Sequence, residues 1–277
     1  MVHIRQSSYG SVGLICRARH PVRYQENVRK LLSVFAGIIL VAATAPIAAR
    51  ADGPGIDRTV FGLIAGNSLV VFDIATGTVT AELPISGVGG DLVGIDYRPG
   101  DHKLYGLSTG GGIYRVTPNA GIPSELTATL ALSGVATVNF DPVVDLLRVF
   151  TTSGQEYTVD PDTGQVETVS PASSFAATVA SLGAACGADG VFYGIDSNTD
   201  TLVTIASAVT AVGGLGVNVI GPASFDIVDE TQVALAAMRP NSSDVSFVYT
   251  VDLATGHAQA LGPIGGSSSI VDIAVAG

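Results

Sequence analysis

The feature that most constrains this chain is a five-residue phrase that returns at a nearly constant interval. It stands at Asp73-Ile-Ala-Thr-Gly77, Thr117-Pro-Asn-Ala-Gly121, Asp160-Pro-Asp-Thr-Gly164 and Asp252-Leu-Ala-Thr-Gly256, with a worn copy at Thr204-Ile-Ala-Ser-Ala208. Successive copies lie 44, 43, 44 and 48 residues apart. The phrase has the chemistry of a tight turn: an Asp or Thr side chain caps backbone N–H groups, and Gly accepts positive φ. Strand-like runs flank each turn. Before it come 68–72, 112–116, 155–159, 201–204 and 246–251; after it come short runs such as 78–82 and 165–169. One strand earlier lie 60–63, 104–107, 147–150, 191–195 and 232–235, and earlier still the apolar runs 92–95, 136–140, 182–186 and 223–225. These segments are β-branched and aromatic, separated by turn residues, with no helical period. Four short strands per repeat of this length is the pattern of a propeller blade.

The first blade lacks its innermost strand, and one is available at the far end of the chain in Ser269-Ile-Val-Asp-Ile-Ala-Val275. The sequence therefore predicts an all-β, five-bladed β-propeller whose ring is closed when the C-terminal strand joins the first blade. The competing architecture is a sandwich or barrel with coincidental spacing.

Residues 1–51 read as an export signal with an extended n-region, and 52–277 as a single propeller domain. Arg29 and Lys30 precede an almost unbroken apolar run over 31–49, and Ala49-Arg50-Ala51 supplies an A-x-A end. The run is also long enough to span a bilayer, so a retained anchor is the rival reading; Pro46 and the A-x-A end favour cleavage. Val28 is a candidate true start, which would leave a signal of ordinary length. Cys16 falls in the signal, so Cys186 is the one cysteine of the remainder and no intrachain disulfide is expected. The location expected is periplasmic or extracellular, with no membrane association once the signal is removed.

Charge separates the same two parts. Seven of the 13 Lys and Arg residues and a single acid, Glu26, precede Asp52; from there on 23 acids face 6 bases, a net of −17. An acidic body of this kind excludes a nucleic-acid partner and docking on anionic lipid.

Several phrases resemble a bacterial family known as a domain of unknown function, DUF4394. They are Leu92-Val-Gly-Ile-Asp-Tyr-Arg-Pro99, Leu104-Tyr-Gly-Leu107, Phe140-Asp-Pro-Val-Val-Asp145 with Leu147-Arg-Val149, Asp160-Pro-Asp-Thr-Gly164, and Tyr193-Gly-Ile-Asp-Ser-Asn-Thr-Asp-Thr-Leu202. The resemblance runs from about residue 59 to 277. It implies an exported, propeller-like protein and no established activity, so it assigns no functional residue.

Candidate chemistry comes from the residues alone. Asp96, Asp141 and Asp226 each end an innermost strand. Three acids at equivalent places either form a ring in the channel, able to bind a cation or act as general acid and base, or each cap the following turn. Blade four offers Cys186 at that place. Arg98 and Arg148 sit near these acids; they are either Asp–Arg struts between blades or guanidinium forks for an anionic ligand. Asp196, Asn198 and Asp200 have the D-x-N-x-D opening of a calcium loop. Thr201 and Ser207 stand where an EF-hand needs Gly and Glu, which leaves a weak Ca²⁺ site or a plain turn. No other cofactor is implied: His102, His257 and Cys186 are too few for zinc, and no nucleophile elbow or phosphate loop is present. Tyr97, Tyr105, Tyr114 and Tyr193 are the aromatics available for sugar stacking, and the alternation around Tyr105 and Tyr114 fits packing between blades better.

The functional expectation is a scaffold that binds a small-molecule or protein ligand. The alternative is a cell-envelope hydrolase, glycosidase- or lactonase-like, that uses the inner-strand carboxylates. A third reading is a self-associating surface-layer element.

Overall fold

The computed structural model describes residues 58–276, apart from 119–121, 133–135, 152, 154, 170–183, 187–190, 207, 229–230 and 267–268. The proposed signal, its apolar run and Cys16 lie outside the described residues, and so does part of the second repeat turn.

Five four-stranded antiparallel sheets make the five blades. Blade one is β20 (Ile270–Val275), β1 (Val60–Ile64), β2 (Ser68–Phe72) and β3 (Val79–Pro84). Blade two is β4 (Leu92–Arg98), β5 (Lys103–Ser108), β6 (Gly112–Val116) and β7 (Glu125–Thr129). Blade three is β8 (Ala136–Asp141), β9 (Leu146–Thr151), β10 (Glu156–Val159) and β11 (Val166–Val169). Blade four is β12 (Ala184–Cys186), β13 (Phe192–Asp196), β14 (Thr201–Ile205) and β15 (Val209–Gly214). Blade five is β16 (Ser224–Val228), β17 (Val233–Met238), β18 (Phe247–Val251) and β19 (Ala258–Pro263). The C-terminal strand β20 pairs antiparallel with β1, from Val60 opposite Val275 to Ile64 opposite Ile270, and so closes the ring. The innermost strands touch in a complete cycle: β20 with β4, β4 with β8, β8 with β12, β12 with β16, and β16 with β20.

The core lies between blades. The inner three strands are nearly all buried, whereas outer strands such as β3 alternate between half-buried and exposed. Tyr105 of blade two meets Phe140 of blade three edge-on at 5.2 Å, and Phe150 meets Phe192 of blade four at 5.7 Å. Such contacts join area burial to ring geometry.

The repeat phrase is the turn from the third to the fourth strand. In blade one the Asp73 carboxylate accepts from the N–H of Thr76 at 2.7 Å, and the Asp73 carbonyl accepts from Gly77 N–H at 2.7 Å. Asp160 and Asp252 repeat the arrangement, each carboxylate accepting two N–H groups. Gly77, Gly164 and Gly256 all have positive φ. Each is also overlain by the preceding blade: a Cβ on Gly77 would lie 1.9 Å from the Pro263 carbonyl oxygen, on Gly164 2.6 Å from that of Thr127, and on Gly256 2.4 Å from that of Gly213. The phrase is thus both a turn and an inter-blade contact. The worn fourth copy is out of register: Thr204 and Ile205 still belong to β14, and Ile205 pairs directly with Val209 across a shorter hairpin. Three residues separate the paired Ile205 and Val209, against six between Phe72 and Val79 in blade one.

Candidate functional site

Innermost strands of a propeller have one edge paired and one edge facing the axis. Unpaired strand edges leave N–H groups that must find acceptors. Three carboxylates supply them here. Asp272 on β20 accepts from Ile273 N–H of its own strand at 3.0 Å and from Ile95 N–H of β4 at 2.9 Å. Asp96 on β4 accepts from Tyr97 N–H at 2.7 Å and from Phe140 N–H of β8. Asp226 on β16 accepts from Ile227 N–H and from Val275 N–H of β20, both at 2.7 Å. Each acid holds its own strand with one oxygen and the inner strand of the next blade with the other. Three successive junctions, five to one, one to two, and two to three, carry the same clasp.

Register shows which positions match. Asp96 lies opposite Tyr105 and Asp226 opposite Leu235, at the same place on their second strands. Asn139, opposite Arg148, Ala185, opposite Tyr193, and Ala274, opposite Phe61, complete the series, and Asp272, opposite Leu63, reaches the same clasp from two residues earlier on its strand. Two equivalences expected from sequence are therefore corrected. Asp141 lies two residues beyond the ring position, and Cys186 lies one beyond. Pro142 follows Asp141 directly, and the Asp141 carboxylate turns back to accept from Val143 N–H at 3.0 Å and Val144 N–H at 3.3 Å. Asp141 caps its turn, while Asp96 and Asp226 lie among the inner strands. Asp272 was missed, although its signal is present: it is an acid between two apolar residues, as in Ile95-Asp96-Tyr97 and Phe225-Asp226-Ile227.

All three carboxylates are buried, as is Asn139. Burial drives the Asp96 carboxyl well above the usual carboxylate range, and the charge of Asp226 adds to it. The N–H groups of Phe140 and Tyr97 pull it back, and Asp272 raises it further. Burial likewise lifts Asp272; the N–H groups of Ile95 and Ile273 oppose this, and Asp226 adds repulsion. Gly94 makes the approach possible, because a Cβ there would meet the Asp272 carboxylate and Val138, each at 3.2 Å.

The two arginines of the sequence reading are engaged between blades. Arg98 Nε and Nη2 donate to the two oxygens of Asp145 at 2.9 and 2.8 Å, and Nη1 and Nη2 donate to those of Asp162 at 2.8 and 2.7 Å. Both forks of the guanidinium are thus taken by blade-three acids, with Asp101 3.7 Å away. The hydrogen bonds it donates to Asp162 and then to Asp145 hold Arg98 above its ordinary value, and Arg98 in turn holds the Asp162 carboxyl down. Gly100 leaves room for the Asp145 carboxylate, which a Cβ would approach to 2.5 Å. Arg148 is bonded to Glu156, lies 3.7 Å from Asp141, and sits 5.2 Å over the Phe192 ring of blade four.

The calcium candidates form the β13–β14 turn. Asp196 accepts from Asn198 N–H and from the Thr199 hydroxyl, both at 2.9 Å. Asp200 adopts positive φ and accepts from Val219 N–H at 2.8 Å. Among the described residues no group of three or more His, Cys, Asp or Glu side chains is arranged to hold a metal ion.

Five of the six large apolar side chains exposed among the described residues fall in blades two and three: Ile122, Leu126, Val143, Val144 and Val166. Val144 adjoins Asp145 and so the Arg98 cluster. Leu126 adjoins Thr127, whose carbonyl overlies the Gly164 turn that leads into Val166. The strand-one-to-two and strand-three-to-four turns lie at the same end of a blade, so these residues share one sector of the rim.

A family model described as "Domain of unknown function (DUF4394)" matches residues 68–274. No curated protein matches the chain. Among solved structures, a chain in the crystal structure of a nidogen/laminin complex is 11% identical, with 79% of this chain and 98% of that chain covered and a TM-score of 0.50. At this identity the likeness is one of fold. Virginiamycin B lyase from Staphylococcus aureus is also 11% identical; the match covers 70% of this chain and 62% of that one, with a TM-score of 0.41.

Proposed function

Since the chain belongs to the DUF4394 family, a family with no assigned activity, the site itself must carry the reading, and we propose that the protein is an exported scaffold that binds a protein ligand through the rim of blades two and three. The observation behind this is the concentration of exposed apolar side chains in that sector, bordered by the Arg98 cluster. Exposed apolar patches of more than isolated residues mark interaction surfaces. The polar groups singled out by sequence have structural partners instead: Asp96 and Asp226 clasp strand edges, Asp141 caps a turn, and Arg98 and Arg148 tie blades together.

The test is affinity capture from the cell-envelope fraction with the wild-type protein and with a Leu126→Asp, Val144→Asp double variant. Both positions are more than half exposed, so the fold should tolerate the change. The reading requires a captured protein that the variant loses. Capture that is identical for both proteins, or no specific capture, would sink it.

A second reading, an envelope hydrolase, draws on one observation: Asp96 holds its proton more tightly beside Asp226, as a general acid must. It requires Asp96→Asn to abolish an activity found on a panel of glycosides and lactones while the fold is unchanged. A weak Ca²⁺ site at Asp196, Asn198 and Asp200 is the third element of the proposal. It requires Tm to rise with added Ca²⁺ and Asp200→Asn to remove that rise; a flat titration would end it.

A further inference from the structure

The three clasped junctions are consecutive, and the strand at their centre is the one that closes the ring. β20 receives the Asp226 carboxylate on Val275 N–H and sends its own Asp272 to Ile95 N–H of blade two. Asp96 continues the series to blade three. The carboxylates lie close enough for Asp226 to act on both Asp96 and Asp272, and Asp272 on Asp96. Like charges gathered in a buried space repel strongly, and burial itself penalises each charge.

We propose that this clasp is a proton-linked latch: β20 closes the ring most tightly in mild acid, and charging of Asp96 and Asp272 beside Asp226 loosens it as pH rises.

The groups that face the latch bear this out. β16 contributes Asp226 and β20 contributes Asp272; β1 and β17, packed on them, carry no titratable side chain. β4 carries Asp96, Tyr97 and Arg98, but the Arg98 guanidinium is committed to Asp145 and Asp162. On β5, Tyr105 donates to Asp101 at 2.9 Å, and Lys103 is exposed at the strand start. On β8, Asp141 is committed to its own turn and Arg148. β12 and β13, which pack on β16, add Cys186, Tyr193 and Asp196. The charges that act most on Asp96 and Asp272 are those of the other carboxylates, Asp226 first.

A second observation is independent of electrostatics. At the register-equivalent place in blade three the chain carries Asn139, buried to the same degree. An amide is the neutral isostere of a protonated carboxyl, and this ring already accommodates one.

The sign follows from linkage. A carboxyl raised in the folded state binds its proton more tightly there than in the unfolded chain. Its contribution is fully present below the unfolded value of about 3.8 and is lost as pH rises through the folded one. Between about pH 5 and pH 8 turn-capping carboxylates are already ionised in both states, so they add no slope in this window.

The experiment has two readouts on the purified protein. Melting temperature is followed from about pH 5 to pH 8 for wild type, Asp96→Asn and Asp272→Asn. Wild type should lose about 3 °C per pH unit over part of the window, and each variant should flatten that slope. Infrared spectra of folded wild type at about pH 5 should also show the carbonyl stretch of a protonated carboxylic acid, fading as pH rises. This second readout does not depend on the variants folding. A wild-type Tm that is level or rises over the window, or a spectrum at about pH 5 without the acid band, overturns the proposal.

Discussion

Gly77 shows how much a single hydrogen can decide. Its φ of +65° alone disfavours a side chain, and the Pro263 carbonyl oxygen would stand 1.9 Å from any Cβ. Gly66 has a similar backbone, φ +82°, with nothing within 4 Å of a Cβ. Gly66→Ala should therefore cost only the backbone term, about 1 kcal/mol. Gly77→Ala must also push two blades apart and should cost about 3 kcal/mol or more. Urea unfolding of the two variants separates conformational strain from inter-blade contact. Arg98 makes a parallel case. Its planar fork serves two carboxylates at once, and Lys offers only a point charge in its place. Arg98→Lys should destabilise by about 2 kcal/mol, most of the effect of Arg98→Ala, in the same unfolding experiment. Asp145 and Asp162, its partners, lie 47 and 64 residues away in sequence, and no local pattern announces them.

At the scale of strands, β20 carries the greatest consequence for its length. It has six residues, and Ile270, Ile273 and Ala274 are buried against blades one, two and five. It is also the one strand whose blade partners come from the other end of the chain. Replacing Ile270 and Ile273 by Asp places two unpaired charges in that seam. Thermal unfolding should show a sharply lowered Tm, because the ring opens once its last strand leaves. The same pair of changes on an exposed outer strand, at Thr80 and Glu82 for instance, should leave Tm within a few degrees. β20 and its partners were legible in the sequence, since a first blade short of one strand and an extra strand at the end imply each other. The short fourth hairpin was not, because the worn phrase starts the turn at Thr204, whereas β14 runs on through Ile205.

For the whole molecule the two populations of carboxylates act in opposite directions with pH. Asp160 and Asp252 are held below the usual range by the N–H groups they cap, and Asp162 by Arg98. Lowered groups contribute stability above the unfolded value near 3.8 and lose it as pH falls through their folded values. Asp96 and Asp272 are raised and lose theirs as pH climbs. Stability should thus pass through a maximum in mild acid, near about pH 5, and decline on both sides. Calorimetry across the range checks this; a maximum at or above neutrality would show that the turn caps dominate throughout.

The order of strands, the five-fold count, the terminal closure and the turn chemistry were all present in the chain as read, because each depends on neighbours in sequence: an Asp reaches the N–H groups two and three residues on, and strands alternate with turns along the chain. Which acids meet was settled in three dimensions. Asp96, Asp226 and Asp272 converge because inner strands of different blades expose unpaired N–H groups toward one axis, and each carboxylate reaches one such group on the next blade. Asp141 looks the same in sequence yet sits two residues past that position, ahead of a proline, and bonds its own turn. A shift of register along one strand separates a turn cap from a member of the ring, and strand register is a property of paired strands, not of either segment alone.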